Sequence, residues 1–510
     1  DLPERERLAP KPAKIVGYSG ANMNRLTNDW VAAILSADRE TRSSLVKLRA
    51  RSRQLFRDNG HAAGFARAME DNIIGTSGIG VNPRMRAPRG KLLKGYNLGA
   101  WEAFQRWGER DTCTVDGQNG WIETQRLALR TWLIDGETFL RRVPGFDNGF
   151  GYALQFIDAD LLDESYNIPR TDRSNEITQG IEMDGWGRPV AYHFWTAYAS
   201  DLSKRRERMR IPADEIIHLF VQWRANQRRG VPIMAPVMIA LKMLDGYTEA
   251  EITQARIAAS NGGFFVMRGE QAASMGVTQD PNADGSEYIE MEAEAGLARQ
   301  LPPGWEFQEW DPAHPNGNFA NFQMAMLRVI AQGLGVSAIT LSGNLSDTSY
   351  SSGRVGLQAE RDRFKAVQGW FGDRIVLPVY RDVIRYGSMA GEIDLPTPEP
   401  SKWCACQLEP RGWPWIDPKS DAMATEMRLK NRLTSPQRVC AAEGTDFEEV
   451  LDEWQEAADM MAERDLDMPT FGEQPMSDST TEATPPTTGD GTAKGNGPGL
   501  VLYGPKEAVQ

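Results

Sequence analysis

Histidine and cysteine are scarce in this chain of 510 residues, with four of each. His61, His193, His218 and His314 lie far apart, which leaves little from which to build a histidine-centred catalytic or zinc site. Cys113, Cys404, Cys406 and Cys440 are too few for a disulfide framework at this length and fit a reducing assembly compartment. No stretch reaches the roughly 18 apolar residues of a membrane span. Residues 1–14 are charged and proline-rich without an apolar signal core, so neither membrane insertion nor Sec export is expected. A Walker A sequence, a G-x-S-x-G elbow and an H-E-x-x-H pair are all missing. Basic charge is in deficit: 57 Lys and Arg stand against 70 Asp and Glu, a net charge of −13. That argues against a sequence-specific duplex binder, whose affinity rests largely on phosphate neutralisation, but not against a surface that DNA slides past.

What is present is ordinary globular material, 41% hydrophobic and 25% charged, long enough for several domains of about 150 residues each. Charge comes in blocks. Residues 1–60 hold twelve basic and seven acidic side chains, residues 270–311 ten acidic and one basic, and residues 440–469 eleven acidic and one basic. Such blocks suggest that different faces meet different partners.

Apolar spacing predicts helices between Thr27 and Met69, with a cap at Asn28 or Asp29, and over residues 100–135, with Trp101, Phe104 and Trp107 on one face. Between 136 and 221 the period becomes strand-like in five runs, from Glu137–Val143 to Glu215–Val221. A long helix is expected from Pro236 to Asn261, then a compact acidic insert with strand pieces at Phe264–Met267 and Trp305–Phe307. A second helix runs over residues 318–334 with the stripe Phe319, Phe322, Met326, Val329 and Ile330. Small polar residues at 341–353 predict a loop, followed by a helix from Arg354 to Tyr386 kinked at Pro378. Residues 419–465 read as acidic helix, and the Pro/Thr/Gly/Ser-rich chain beyond 470 as disordered.

Several local patterns carry chemistry only weakly. Gly75–Gly80 is glycine-rich but lacks the spacing and the lysine of a phosphate cradle. Asp158 and Asp160, with Asp163, could hold a divalent cation, or be carboxylates at a solvated turn. Cys404, Cys406 and Cys440 resemble half a zinc site, and free thiols near tryptophans are the plainer reading. The basic run Lys204–Arg210 with Arg224, Arg228 and Arg229 could touch phosphates, pair with an acidic neighbour, or be solvated surface.

The segment Leu327–Ser337, read as L-R-x-I-A-x-G-L-G-V-S, followed by Leu341-Ser342 and by Ser349-Tyr350-Ser351 with Arg354, resembles the lambda-type phage portal proteins. Asn59-Gly-His-Ala-Ala63, Gly136-Glu137, Gln227-Arg-Arg-Gly230, Met243-Leu-Asp245 and Trp415-Ile-Asp417 resemble further pieces of that family, in the same order. The resemblance spans roughly 50–465. It implies an α+β portal fold: an N-terminal arm (1–27), a mixed α+β wing (28–235), a stem helix (236–261), a small α/β clip (262–316) and a second stem helix (317–335). A channel loop, long helix and return to the wing (336–418), a helical crown (419–466) and a disordered tail (467–510) would follow.

The function so implied is a homo-oligomeric ring, a dodecamer in this family, at one capsid vertex of the virion. Double-stranded DNA would pass through it during packaging and ejection, without sequence specificity. The terminase large subunit and then the head-tail adaptor would dock on it, and the major capsid protein would surround it. Assembly would take place in the host bacterial cytoplasm, with no membrane, cofactor, metal or catalytic residue. The channel loop would present Ser342, Asn344, Ser346, Asp347, Thr348, Ser349, Tyr350, Ser351, Ser352 and Arg354. Phe319, Phe322, Met326, Ala255 and Ala259 would form the subunit interface of the stem, and Glu290, Glu292 and Glu294 the motor and adaptor contact. The alternatives are a metal-dependent DNA-processing enzyme using Asp158, Asp160 and Asp163, and a capsid scaffold without DNA contact.

Overall fold

The computed structural model describes residues 29, 33–87, 90–259, 263–267, 305–309, 318–345, 350–397, 399–413, 418–443, 445 and 447–466. The N-terminal arm, most of the acidic insert, Trp415-Ile416-Asp417 and the tail lie outside them. The chain divides into two units. The first runs to Ser435 and includes 442–444; the second holds the remainder from Pro436.

Helix α1 (Ala37–Asp58) starts later than expected. Ser36 is its cap, with Oγ accepting from the Arg39 N–H at 3.3 Å, and Ile34 and Leu35 precede the helix. Asn59 caps α2 (Gly60–Ile73) by accepting from the Ala62 N–H at 2.8 Å. Strand β1 (Gly80–Pro83) follows, then α3 (Lys94–Trp107), the single turn α4 (Arg110–Cys113) and α5 (Trp121–Asp135). Phe104, Trp107, Trp121, Leu129 and Leu133 are buried together, and the Trp107 indole donates to the Tyr152 carbonyl at 2.9 Å. Trp101 is exposed instead of sharing that face. Six positions advance a helix by 600°, which places it about 120° from Trp107.

The five strand-like runs are strands, β2 (Glu137–Pro144), β3 (Tyr152–Ile157), β5 (Ile181–Met183), β6 (Pro189–Trp195) and β8 (Ile216–Phe220), and two further strands that the pattern does not suggest lie among them, β4 (Glu176–Thr178) and β7 (Arg208–Pro212). They form two antiparallel sheets, ordered β3-β2-β8 and β4-β5-β6-β7. Between them Phe139, Ile157, Ile181, Tyr192, Phe194 and Ile211 make a separate small core.

Helix α6 (Met238–Ala259) follows a turn that contains Pro236. Strands β9 (Gly263–Met267) and β10 (Trp305–Glu309) pair antiparallel across the insert. Helices α7 (Phe319–Leu334), α8 (Ala338–Ser342) and α9 (Tyr350–Phe371) come next. Helix α9 begins at Tyr350, not Arg354, so residues 350–353 are its first turn and not loop. The expected kink is a widened helical register over Gly372–Val376, after which α10 (Leu377–Ala390) carries Pro378 in its first turn. Proline has no N–H for the carbonyl four residues back and its ring collides with it, and a π turn relieves both.

Strand β11 (Cys406–Glu409) returns to pair antiparallel with β1, Gly80 opposite Glu409 and Pro83 opposite Cys406. Of the expected crown, α11 (Pro418–Lys430) belongs to the first unit. Helices α12 (Pro436–Glu443) and α13 (Phe447–Glu463) mark the second, in which the Thr445 N–H and hydroxyl both donate to the Cys440 carbonyl.

A buried charge cluster joins α1 to the sheets. Glu137, at the start of β2, accepts from Arg229 Nε at 3.0 Å, the Gly230 N–H at 3.0 Å, Arg49 Nη1 at 3.4 Å and His218 Nε2 at 3.1 Å. Burial alone would raise its pKa. The Arg229 charge and the His218 and Arg229 hydrogen bonds outweigh that and hold the carboxyl well below its usual range. His218 is stacked on Phe139 and on Phe220, and burial keeps its pKa below the ordinary value.

The backbone beside this cluster tolerates only glycine. Gly136 (φ +85°) has no room for a Cβ against the Val231–Pro232 peptide, and a Cβ on Gly230 would strike the Gly136 carbonyl. Gly136→Ala should therefore abolish recovery of folded protein. Gly246→Ala, in open space on α6, should raise stability by about 1 kcal/mol in urea denaturation. Glu137→Gln removes the one fully buried carboxylate from between Arg49 and Arg229, leaving them only Glu164 and, for Arg49, Asp160 at the edge of the cluster, and should cost about 3 kcal/mol at pH 7. Because the folded-state pKa is depressed, the Glu137 contribution is complete above the ordinary glutamate value of about 4.3 and is lost as pH falls below it. The variant's stability should thus fall less steeply than the parent's in that acid range.

Candidate functional site

Helices α6 and α7 pack through aromatic contacts. Tyr247 lies 5.7 Å from Phe319 and 4.9 Å from Phe322 between ring centres. On the core side Leu241, Leu244, Leu327, Ile330, Ala331 and Leu334 are buried. The expected stripe of α7 therefore splits: Ile330 turns inward, Phe319 and Met326 are half-buried, and Phe322 and Val329 face out, 47% and 64% exposed. On α6, Ile239 and Met243 are 75% and 67% exposed. Ala255 is half-buried, and Ala259 is the last residue of α6. One chain thus leaves an apolar face on this helix pair uncovered.

The G-L-G-V-S part of the signature is a helix stop, a corner and a helix start. Gly333 packs under Val237, where a Cβ would collide with its side chain. Gly335 (φ +69°) ends α7 in the left-handed conformation, with the Arg363 guanidinium in the place a Cβ would need. Val336 is buried. Ser337 caps α8, its Oγ accepting from the Thr340 N–H at 3.1 Å.

Two residues of α9 grip this corner. Glu360, 6% exposed, accepts from the Ser337 N–H and the Thr340 hydroxyl, both at 2.9 Å. Arg363 Nη2 reaches the Leu334 carbonyl at 3.4 Å. The sequence does not announce either residue, because their partners lie 23 and 29 positions upstream.

The expected loop is shorter than the composition suggested. Ser342 closes α8 and donates to the Ala338 carbonyl at 2.7 Å, while its Oγ accepts from the Asn344 N–H at 3.1 Å. Asn344 Nδ2 sits 3.8 Å from Met324 Sδ, and Leu345 is exposed. Ser346, Asp347, Thr348 and Ser349 lie outside the described residues, as do the side chains of Tyr350, Ser351, Ser352 and Arg354. Glu290, Glu292 and Glu294 are likewise outside them.

The carboxylates of the metal alternative face arginines. Asp160 is held by Arg49 and Arg53, each at 2.6 Å; Asp158 by Arg53 at 2.8 Å; and Asp163 by Arg208 at 2.6 Å. Burial works to raise Asp158 and Asp163, and their hydrogen bonds and arginines overcome it, so both titrate below the ordinary aspartate range. Among the described residues no three His, Cys, Asp or Glu side chains converge as a metal site. The basic run is dispersed too: Arg210 pairs with Glu182, Arg224 with Glu40, Arg228 with Asp38 and Glu176, and Arg229 is fully buried on Glu137. All four cysteines are free thiols. No helix among the described residues is long and apolar enough to cross a membrane.

The scattered motif fragments meet in space. Asn59 Nδ2 donates to Asp245 at 2.7 Å, joining the N-G-H-A-A and M-L-D pieces. Gly136-Glu137 meets Arg229-Gly230 in the buried cluster. Residues 23–368 match the family model "Phage portal protein, lambda family". The chain is 30% identical over 461 residues to the probable portal protein of Halomonas phage phiHAP-1, covering 88% of each. It is 21% identical over 475 residues to portal protein B of Escherichia phage lambda, covering 85% of this chain and 88% of that one. Among solved structures it is similar to a chain in the neck of a native GTA particle computed with C12 symmetry, at 16% identity and a TM-score of 0.41, over 77% of this chain and 93% of that one. With the family model matching well over half its length, the chain belongs to the lambda family of phage portal proteins.

Proposed function

We propose that this portal protein works as a closed homo-oligomeric ring, a dodecamer, through which double-stranded DNA is packaged into and ejected from the capsid. The observation that carries the ring is the uncovered apolar face of α6 and α7, with Ile239, Met243, Phe322 and Val329 exposed in the single chain. A neighbouring copy of the same helices is a suitable cover; in this reading Phe319, Met326 and Ala255 flank that face, and the interface extends to the end of α6 at Ala259. The residues from Ser342 to Ser349 line the channel in this reading. Their hydroxyls and amides touch sugar and phosphate weakly, and the segment has no Lys or Arg to hold the polyanion in place. The first turn of α9, with Tyr350 to Arg354, stands at its border.

The acidic insert, with Glu290, Glu292 and Glu294, faces the terminase large subunit during filling and the head-tail adaptor afterwards, its charge steering basic surfaces toward it. The rest of the ring is held by the major capsid protein at one vertex of the virion. The protein is structural in this reading and not an enzyme. The arginines on Asp158, Asp160 and Asp163 support that, since each carboxylate already has a cationic partner.

Native mass spectrometry of the purified chain should give a species near twelve times 56.8 kDa, and Phe322→Asp should leave only monomer. A ring of unchanged mass from that variant, or metal-dependent cleavage of plasmid DNA by the pure protein, would count against this function. Deleting 344–349 should leave the ring intact while packaged DNA is lost; full retention in particles carrying the deletion would remove the loop from the channel.

A further inference from the structure

The corner between α7 and α8 is held from outside by a helix on the far side of the loop. Glu360 and Arg363 stand one turn apart on α9. Arg363 meets the carbonyl end of α7 at Leu334, and Glu360 meets the amide end of α8 at Ser337 and Thr340. Each charge thus satisfies backbone or hydroxyl groups of the corner itself, Glu360 as acceptor and Arg363 as donor. Glu360 is buried, yet its described partners are an N–H and a hydroxyl of α8. A buried carboxylate in such a place is costly unless its donors are held in position. The two bonds close a circuit that runs from Ser337 through α8 and the loop and back along α9. A second tether comes from α2, where His61 Nδ1 lies 3.3 Å from the Leu341 carbonyl. Beyond Leu341 and Ser342, Gly343 (φ +68°) turns the chain away from α8.

We propose that Glu360 is the positioning residue of the loop: by pinning the first turn of α8 to α9 it fixes where the loop leaves the helices and makes the loop base move as one body with the α7–α9 corner. This rests on the reading that residues 343–349 line the channel. Load placed on the loop then reaches the long helices of the ring through the corner, instead of being absorbed by a hinge between α8 and α9. Arg363 sets the other half of the corner by filling the space beside Gly335 and donating to the Leu334 carbonyl.

Three variants test it: Glu360→Leu, Glu360→Gln and Thr340→Val. The Gln side chain can still accept from the Ser337 N–H and donate to the Thr340 oxygen, so it should rescue; Thr340→Val removes one of the two donors. In rings of parental mass, chymotrypsin should nick Glu360→Leu after Leu345 or Tyr350 about tenfold faster than the parent, the factor that roughly 1.4 kcal/mol of lost hydrogen bonding corresponds to. Particles built on Glu360→Leu should retain less DNA, those on Glu360→Gln should match the parent, and Thr340→Val should fall between. Parental nicking in Glu360→Leu rings, or Gln behaving like Leu, overturns the proposal. If Glu360→Leu does not assemble, Thr340→Val against Glu360→Gln decides it in the same assay, equal nicking of the two overturning it. Nicking is read without DNA, so it judges the clamp even where the loop deletion shows that the segment does not line the channel.

Discussion

A carboxylate buried beside two guanidiniums sets the geometry of the first unit. Glu137 lies at the first position of β2, in the middle of a three-stranded sheet, and three separate segments must converge to satisfy it: Arg49 from α1, His218 from β8, and Arg229 with the Gly230 amide from the approach to α6. If any one of them is displaced, a charge is left in a place that water does not reach. The cluster therefore determines how the first helix sits on the sheet and at what point the chain leaves the sheet to begin α6. Gly136 and Gly230 let the two backbones come close enough for this to happen.

The same economy appears at the far end of α7. There the corner is shaped by glycines, and charged side chains from a distant part of α9 hold it. In both places a motif that can be read as a family signature turns out to be a joint between elements: Gly136-Glu137 with Arg229-Gly230, and Gly335-Val336-Ser337 with Glu360. Asn59 with Asp245 is a third joint, tying the start of α2 to α6.

What the sequence made legible follows from the range of the physical forces involved. Five of the seven strands between Glu137 and Phe220 are legible because alternation and turn residues such as Asp184-Gly185 are local. Strand β4 escapes because it is three residues long, β7 because Arg208, Met209 and Arg210 on it are exposed, and β1 and β11 because each is four residues long and has its partner more than 300 positions away. The Ser/Tyr-rich stretch looks like loop throughout, although its last residues start a helix; serines serve both roles, and composition does not separate them. Asp158, Asp160 and Asp163 suggested a metal because carboxylates in a row are visible in sequence and the arginines that neutralise them are not. Glu360 and Arg363 carried no signal for the same reason: a lone acid and base on a polar helix look like any solvated pair.

The pairing of β1 with β11 has a consequence for the life of the nascent chain. Gly80 emerges from the ribosome 329 residues before its partner Glu409. At about 5–20 residues per second that is an interval of roughly 16–66 s, during which the edge of β1 has no strand to bond to. The sheets between Glu137 and Phe220 and the paired helices α6 and α7 are translated in that interval, so the apolar face of the helix pair is available before the subunit is sealed. Completion of the fold waits on a strand near the end of the first unit, and the polysome, where many such chains stand side by side, is where premature association between copies has its longest opportunity.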